Sequence, residues 1–171
     1  MMPTSDLVTV SVTVGTDPAK AFAIFTQETD VWWRRGPKFR IAGKQPGTLR
    51  FEPWLGGRLM EEFESPSGQQ VFTKGRITVW QPPERFRFEW RGVNFAPGES
   101  THVEVLFEAV PTGTRVTVRH SGWAGLRDDH PVRHGQQGAA FLRIIGLWWG
   151  DLMTSFRELA AERLDLERDV R

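Results

Sequence analysis

"AAFLRIIGLWWGDLMTSFRELAAERL", Ala139 to Leu164, is the stretch on which the fold turns. Phe141, Ile145, Trp148, Leu152, Phe156 and Leu159 recur at steps of three and four, which winds them into one apolar stripe along a long helix. Gly146 and Gly150 lie within it, and each costs about 1 kcal/mol against alanine. Two glycines one turn apart predict a close approach to the helix, or space left beside Trp148 and Trp149. The charged segment from Glu162 to Arg171 is expected to fray into solvent. A helix with this stripe must bury it, so the preceding chain has to supply an apolar surface of matching length.

That surface is a sheet. "LVTVSVTVG" (Leu7–Gly15) sets four valines against Thr9, Ser11 and Thr13, the alternation of a half-buried strand. "TDPAKAFAIFTQ" then reads as a helix with Asp17 as N-cap and Pro18 in its first turn. A second short helix is expected in "TDVWWRR", capped by Thr29 or Asp30. After a loop from Gly36 to Gly47, strands follow closely: "TLRFEPW", "GGRLMEEF", "VFTKGRITVW", "RFRFEWR", "STHVEVLFEAV" and "VTVRHSGW". Short strands joined by tight turns predict an antiparallel meander. With one apolar face, such a sheet must be covered, and the last helix is the element able to cover it.

Composition narrows the class. The chain has 171 residues, a net charge of +1 and no cysteine, which suits one domain (core about residues 7–164) and excludes disulfide and thiolate chemistry. Charges of both signs are interspersed, giving no footprint for nucleic acid. Neither a signal peptide nor a membrane span is expected, and a cytoplasmic protein is the default. Eight tryptophans and twelve phenylalanines, with no tyrosine, suit an aromatic core that also lines a small-molecule pocket.

Few residues carry chemistry. In "VTVRHSGW" the parity of Val116 and Val118 carries His120 inward. An inward imidazole can orient a ligand, move a proton, or be a buried histidine satisfied by its neighbours. "RDDHPVRHG" offers Asp128, Asp129, His130 and His134, but Pro131 interrupts the i, i+4 pair. No metal site is assigned, and the segment is expected to be an exposed gate loop. Glu61 and Glu62 point to opposite faces, so they form no local dyad. Which of them faces inward, and whether Arg50 or Arg58 does, stays open. No phosphate-binding glycine loop, dinucleotide fingerprint or serine-nucleophile motif is present.

The element order and several motifs resemble the SRPBCC (START-like, helix-grip) superfamily, and within it the activator of heat-shock-protein-90 ATPase homologue-like family. The matching segments are "VTVSVTVGTDPAKAFAIFT" followed by "VWW", "EPWLGGRL", "GRITVWQPPERFRFEW", "VTVRHSGW" and "LWWGDLMTSFRELA". The resemblance implies an α+β helix-grip fold: a curved antiparallel sheet wrapped around a long C-terminal helix, with two short helices after the first strand. It implies a hydrophobic cavity between sheet and helix. Members of the superfamily bind lipids, sterols, polyketides or other apolar ligands, and a minority are cyclases or aromatase-like enzymes. The co-chaperones that name the family stimulate a chaperone ATPase and carry a further N-terminal domain not contained in these residues. A chaperone partner is therefore the least expected.

The expected function is binding of a small, largely hydrophobic molecule of lipid, polyketide or aromatic type, without cofactor, metal or catalytic residue, by a monomer or homodimer. The alternatives are a cyclase or dehydratase, and a co-chaperone-like module. Ligand contacts are expected from His120, Trp32, Trp33, Trp123 and Trp149, which sit near element ends where a helix-grip cavity opens. The inward strand residues Phe86, Phe88, Trp90 and Phe107 are expected to join them, with Phe141, Ile145 and Trp148 from the helix.

Overall fold

The alternating strands pair in one antiparallel sheet of seven, in the order β1-β7-β6-β5-β4-β3-β2. The computed structural model describes residues 6–170, so Met1–Ser5 of the N-terminal stretch and Arg171 of the charged tail lie outside it. Its elements are β1 (Val8–Val14), α1 (Pro18–Gln27), α2 (Thr29–Trp32), β2 (Gly47–Phe51), β3 (Arg58–Ser65), β4 (Gly68–Gln81), β5 (Arg85–Trp90), β6 (Thr101–Val110), β7 (Gly113–Ser121) and α3 (Gly138–Asp169). The sheet curls around α3 as a half-barrel, and α1 and α2 close one side.

Local chemistry explains the helix starts. Asp17 accepts the Lys20 backbone N–H at 2.9 Å, and Pro18 opens α1 as expected. The start of α2 differs, because Glu28 occupies the capping position. Thr29 instead donates its hydroxyl to the Phe25 carbonyl (2.7 Å), and Asp30 accepts from the Leu49 backbone N–H (2.9 Å). Both side chains are taken by neighbouring structure before they can cap.

Parity on the strands sorts the core. Phe86 and Phe88 of β5, Val103, Val105 and Phe107 of β6, and Val116 and Val118 of β7 are all buried. They meet Phe22 and Phe25 of α1, and Trp32 and Phe156 from the two other helices. The rings pack at centroid distances such as 4.9 Å (Phe22–Phe107), 5.3 Å (Phe25–Phe156) and 5.6 Å (Phe25–Phe86). Tilted and edge-on contacts of this kind stabilise beyond simple burial. This half of the groove is filled by aromatic side chains.

The helix lies along β1. A Cβ placed on Gly146 would sit 3.7 Å from Val8, whereas one on Gly150 would meet nothing within 4 Å. The charged end of the helix does not fray: α3 continues to Asp169, where the expectation was solvent-exposed coil. Ion pairs Arg163–Glu28 (2.7 Å) and Lys20–Glu167 (2.9 Å) tie this end to α1 and its C-terminus. These pairs are partly exposed and screened by solvent, so Arg163→Ala is expected to leave the urea-unfolding midpoint nearly unchanged. Among the described residues no helix is long and apolar enough to cross a membrane.

Candidate functional site: an aromatic cavity with a buried lysine

The other half of the groove, beneath the N-terminal third of α3, is not filled. A cavity of about 480 Å³ remains there. Trp90, Trp123, Trp148, Phe39, Val132, Ile144 and Ile145 give it apolar walls. Exposed Pro37, Lys38, Val93, Asn94 and His134 form its rim, so the cavity opens to solvent.

Two loops frame the mouth, and each is pinned by a buried arginine. Arg40 pairs with Asp30 at 2.5 Å and donates to the carbonyls of Asp30, Trp33 and Arg34. Arg133 donates to the carbonyls of Trp123, Leu126 and Arg127 and lies over the Phe141 ring. The planar guanidinium suits this gathering of several acceptors. The segment around residues 127–136 is thus not a wholly exposed gate loop, because His130 and Arg133 are buried. His130 Nδ1 accepts the Val132 N–H at 3.1 Å. Its Nε2 lies 3.2 Å from a Glu99 oxygen without the alignment of a hydrogen bond. Among the described residues no group of three or more His, Asp or Glu could hold a metal ion.

His120 is inward, 1% exposed, and lines the cavity. Both of its nitrogens are occupied. Trp149 Nε1, which can only donate, bonds Nδ1 at 2.9 Å, so Nδ1 is the acceptor and the ring proton sits on Nε2. Nε2 donates to Thr101 Oγ1 (2.7 Å), whose hydroxyl donates in turn to the Trp90 carbonyl (2.9 Å). Burial, with a smaller effect of nearby His102, pushes the imidazole down from 6.5 to about 3, so the ring is neutral. What His120 offers the cavity is ring surface.

The charged group inside is Lys74. β4 alternates regularly until Leu59 pairs with Gly75 and Met60 with Thr73, leaving Lys74 as the extra residue of a bulge. Its side chain is 5% exposed and lines the cavity, with the ammonium 6.0 Å from the Trp90 ring centroid. Glu61 is its nearest acid, at 3.8 Å. Both Glu61 oxygens are taken by backbone N–H groups of Ile41 (2.9 Å) and Ala42 (2.6 Å). Desolvation lowers the Lys74 pKa from 10.5, Glu61 opposes that shift, and Arg40 adds to it. Among the described residues Lys74 Nζ makes no hydrogen bond, and the buried N–H groups of Trp90 and Trp123 also lack acceptors.

The residues expected from sequence divide between the two halves of the groove. His120, Trp90, Trp123, Ile145 and Trp148 come together around the cavity. Phe86, Phe88, Phe107 and Trp32 lie in the packed aromatic half. Trp33 and Trp149 stand behind Trp148, each edge-on to it, and Phe141 packs behind Trp123. Trp54 is exposed in the turn between β2 and β3. Of the acids and bases left open, Glu61 faces inward while Arg50 and Glu62 pair on the outer face at 3.0 Å. Lys74 was missed because period-two alternation does not register a bulge. The available signal was Gly75, a glycine inside a strand.

The comparisons with known proteins agree with this architecture. A Mesorhizobium loti protein superposes with a TM-score of 0.60 at 16% identity, over 92% of this chain and 97% of its own. A Staphylococcus aureus protein of unknown function gives 0.66 at 11% identity, over 93% and 95%. A Cytophaga hutchinsonii protein solved in solution gives 0.66 at 9%, over 96% and 99%. At these identities the likeness is one of fold. No curated protein matches the chain. The sequence profile described as "Activator of Hsp90 ATPase homolog 1-like protein" matches residues 16–143, which begin just after β1 and include both short helices, β2 to β7 and the start of α3. With that match spanning most of the chain on an SRPBCC helix-grip fold, the protein belongs to the activator of Hsp90 ATPase homologue 1-like family.

Proposed function

We propose that this protein binds a small, largely apolar molecule in the cavity beneath α3. The observation that carries this reading is the cavity itself, about 480 Å³ walled by three indoles and aliphatic side chains. Ligand pockets commonly have this size range and an apolar wall carrying a few polar groups. Enclosure would do the work, as the aromatic walls strip water from the ligand body. A cyclase or dehydratase reading has less support, since His120 has no nitrogen to spare for proton transfer. The outer sheet face carries cross-strand ion pairs such as Arg85–Glu104 (2.8 Å), the pattern of a solvated surface.

Because Trp90, Trp123 and Trp148 line the cavity, ligand entry should change tryptophan emission. Titration with short fatty acids, aromatic acids and phenols is expected to give saturable quenching by at least one class. Ile144→Trp, which fills the mouth from a partly exposed helix position, should weaken that binding by roughly tenfold, about 1.4 kcal/mol, with little change in melting. Absence of saturable quenching across the panel would remove the binding reading. So would quenching that Ile144→Trp leaves untouched.

A further inference from the structure

We propose that Lys74 is the headgroup anchor of this cavity and that its ligand is a monocarboxylate with an apolar body. This rests on the binding reading above and specifies the ligand class. Three observations carry it. First, the charged residues lining the cavity are Lys38, Arg40 and Lys74, and no Asp or Glu lines it. A ligand headgroup entering the cavity therefore meets cations on its lining and no carboxylate.

Second, the other two cations are already engaged. Arg40 is spent on Asp30 and backbone carbonyls, and Lys38 pairs with Asp151 at 3.2 Å on the rim. Lys74 makes no hydrogen bond among the described residues, although its side chain is only 5% exposed. Nζ is not sealed in the protein but keeps access to the cavity, so an acceptor placed there could serve its N–H groups. Glu61 balances the charge from 3.8 Å but directs its oxygens to the Ile41 and Ala42 amides.

Third, a bulge puts the amine there. Gly75 is required by it, since a Cβ at that position would fall 1.6 Å from the Glu89 carbonyl oxygen. The backbone departs from regular pairing at the point where Lys74 enters the groove. A carboxylate accepting charge-assisted bonds from Nζ would satisfy the amine, while Trp90, Trp148 and Ile145 cover the apolar body.

The test compares matched pairs by isothermal titration calorimetry at pH 7: 4-phenylbutanoate and decanoate, each against its methyl ester. Wild-type protein is expected to bind at least one acid about tenfold more tightly than its ester. Lys74→Met should remove that preference while leaving the affinity for the ester within about twofold. Lys74→Gln, also neutral, gives a second reading if Lys74→Met does not fold, and the wild-type ratio needs no variant at all. Equal binding of acid and ester by wild type, or an acid preference that survives both substitutions, overturns the Lys74 assignment and leaves the cavity reading in place. If wild type binds neither member of either pair, both readings fall.

Discussion

Replacing His120 with alanine is expected to cost about 3–5 kcal/mol of stability, read as the loss in urea-unfolding free energy. Two effects add. The imidazole fills space between Trp123 (4.3 Å between ring centroids), Trp90 (5.6 Å) and Trp149 (6.0 Å), and that volume would be left empty. The fully buried Trp149 N–H would also lose its acceptor, and Thr101 its donor. A His120→Ala protein that unfolds with the wild type would refute the network.

The same residue gives stability a pH dependence with a definite sign. In the folded protein the ring is pushed down to about 3, from 6.5. Between those values the unfolded chain binds a proton that the folded protein refuses. The stabilisation is therefore complete above pH 6.5 and is lost as pH falls through that window, by up to about 1.4 kcal/mol per unit. Unfolding free energies measured from pH 7 to pH 5 should slope downward in the wild type and lie flatter in His120→Ala. Parallel slopes would mean that other groups carry the dependence.

Gly75→Ala is expected to be comparably severe. The added Cβ would meet the Glu89 carbonyl oxygen at 1.6 Å and its carbon at 2.4 Å, both backbone atoms of a paired strand. No rotamer relieves such a clash, so β4 or β5 must move and the bulge must change. The expected cost is on the order of 4 kcal/mol, or roughly 10 °C in Tm for a chain of this length. Lys74 would lose its position along with the bulge. The preference for an acid over its ester should therefore fall even in molecules that remain folded. A variant melting within about 2 °C of wild type would show that the bulge tolerates a side chain.

The residues that disagreed with the sequence reading share a cause. Phe86, Phe88 and Phe107 point inward, as alternation requires, yet α1 brings Phe22 and Phe25 against Phe86 and Phe107, Phe51 of β2 packs on Phe88, and the space is consumed. His130 and Arg133 lie in a polar segment, but Arg133 is drawn inside by three carbonyls that the loop would otherwise bury without partners. The charged end of α3 stays helical because α1 presents Lys20, and Glu28 just after it, at matching positions. Each outcome depends on a neighbour distant in the chain.

Period and punctuation alone determined the strands, the helices, their order, and the inward parity of Val116, Val118 and His120. These follow from local geometry, where side chains repeat every two residues in a strand and every 3.6 in a helix. Tertiary structure decided which half of the groove is filled, that His120 is a neutral and fully bonded member of its wall, and that Lys74 is the amine inside. Volume and hydrogen-bond partners are properties of residues brought together from separate elements. A bulge, moreover, breaks the alternation from which sidedness is read. The apolar stripe of Ala139–Leu164 required a covering sheet, and only the packed molecule shows that the cover leaves a cavity beneath Ile144, Ile145 and Trp148.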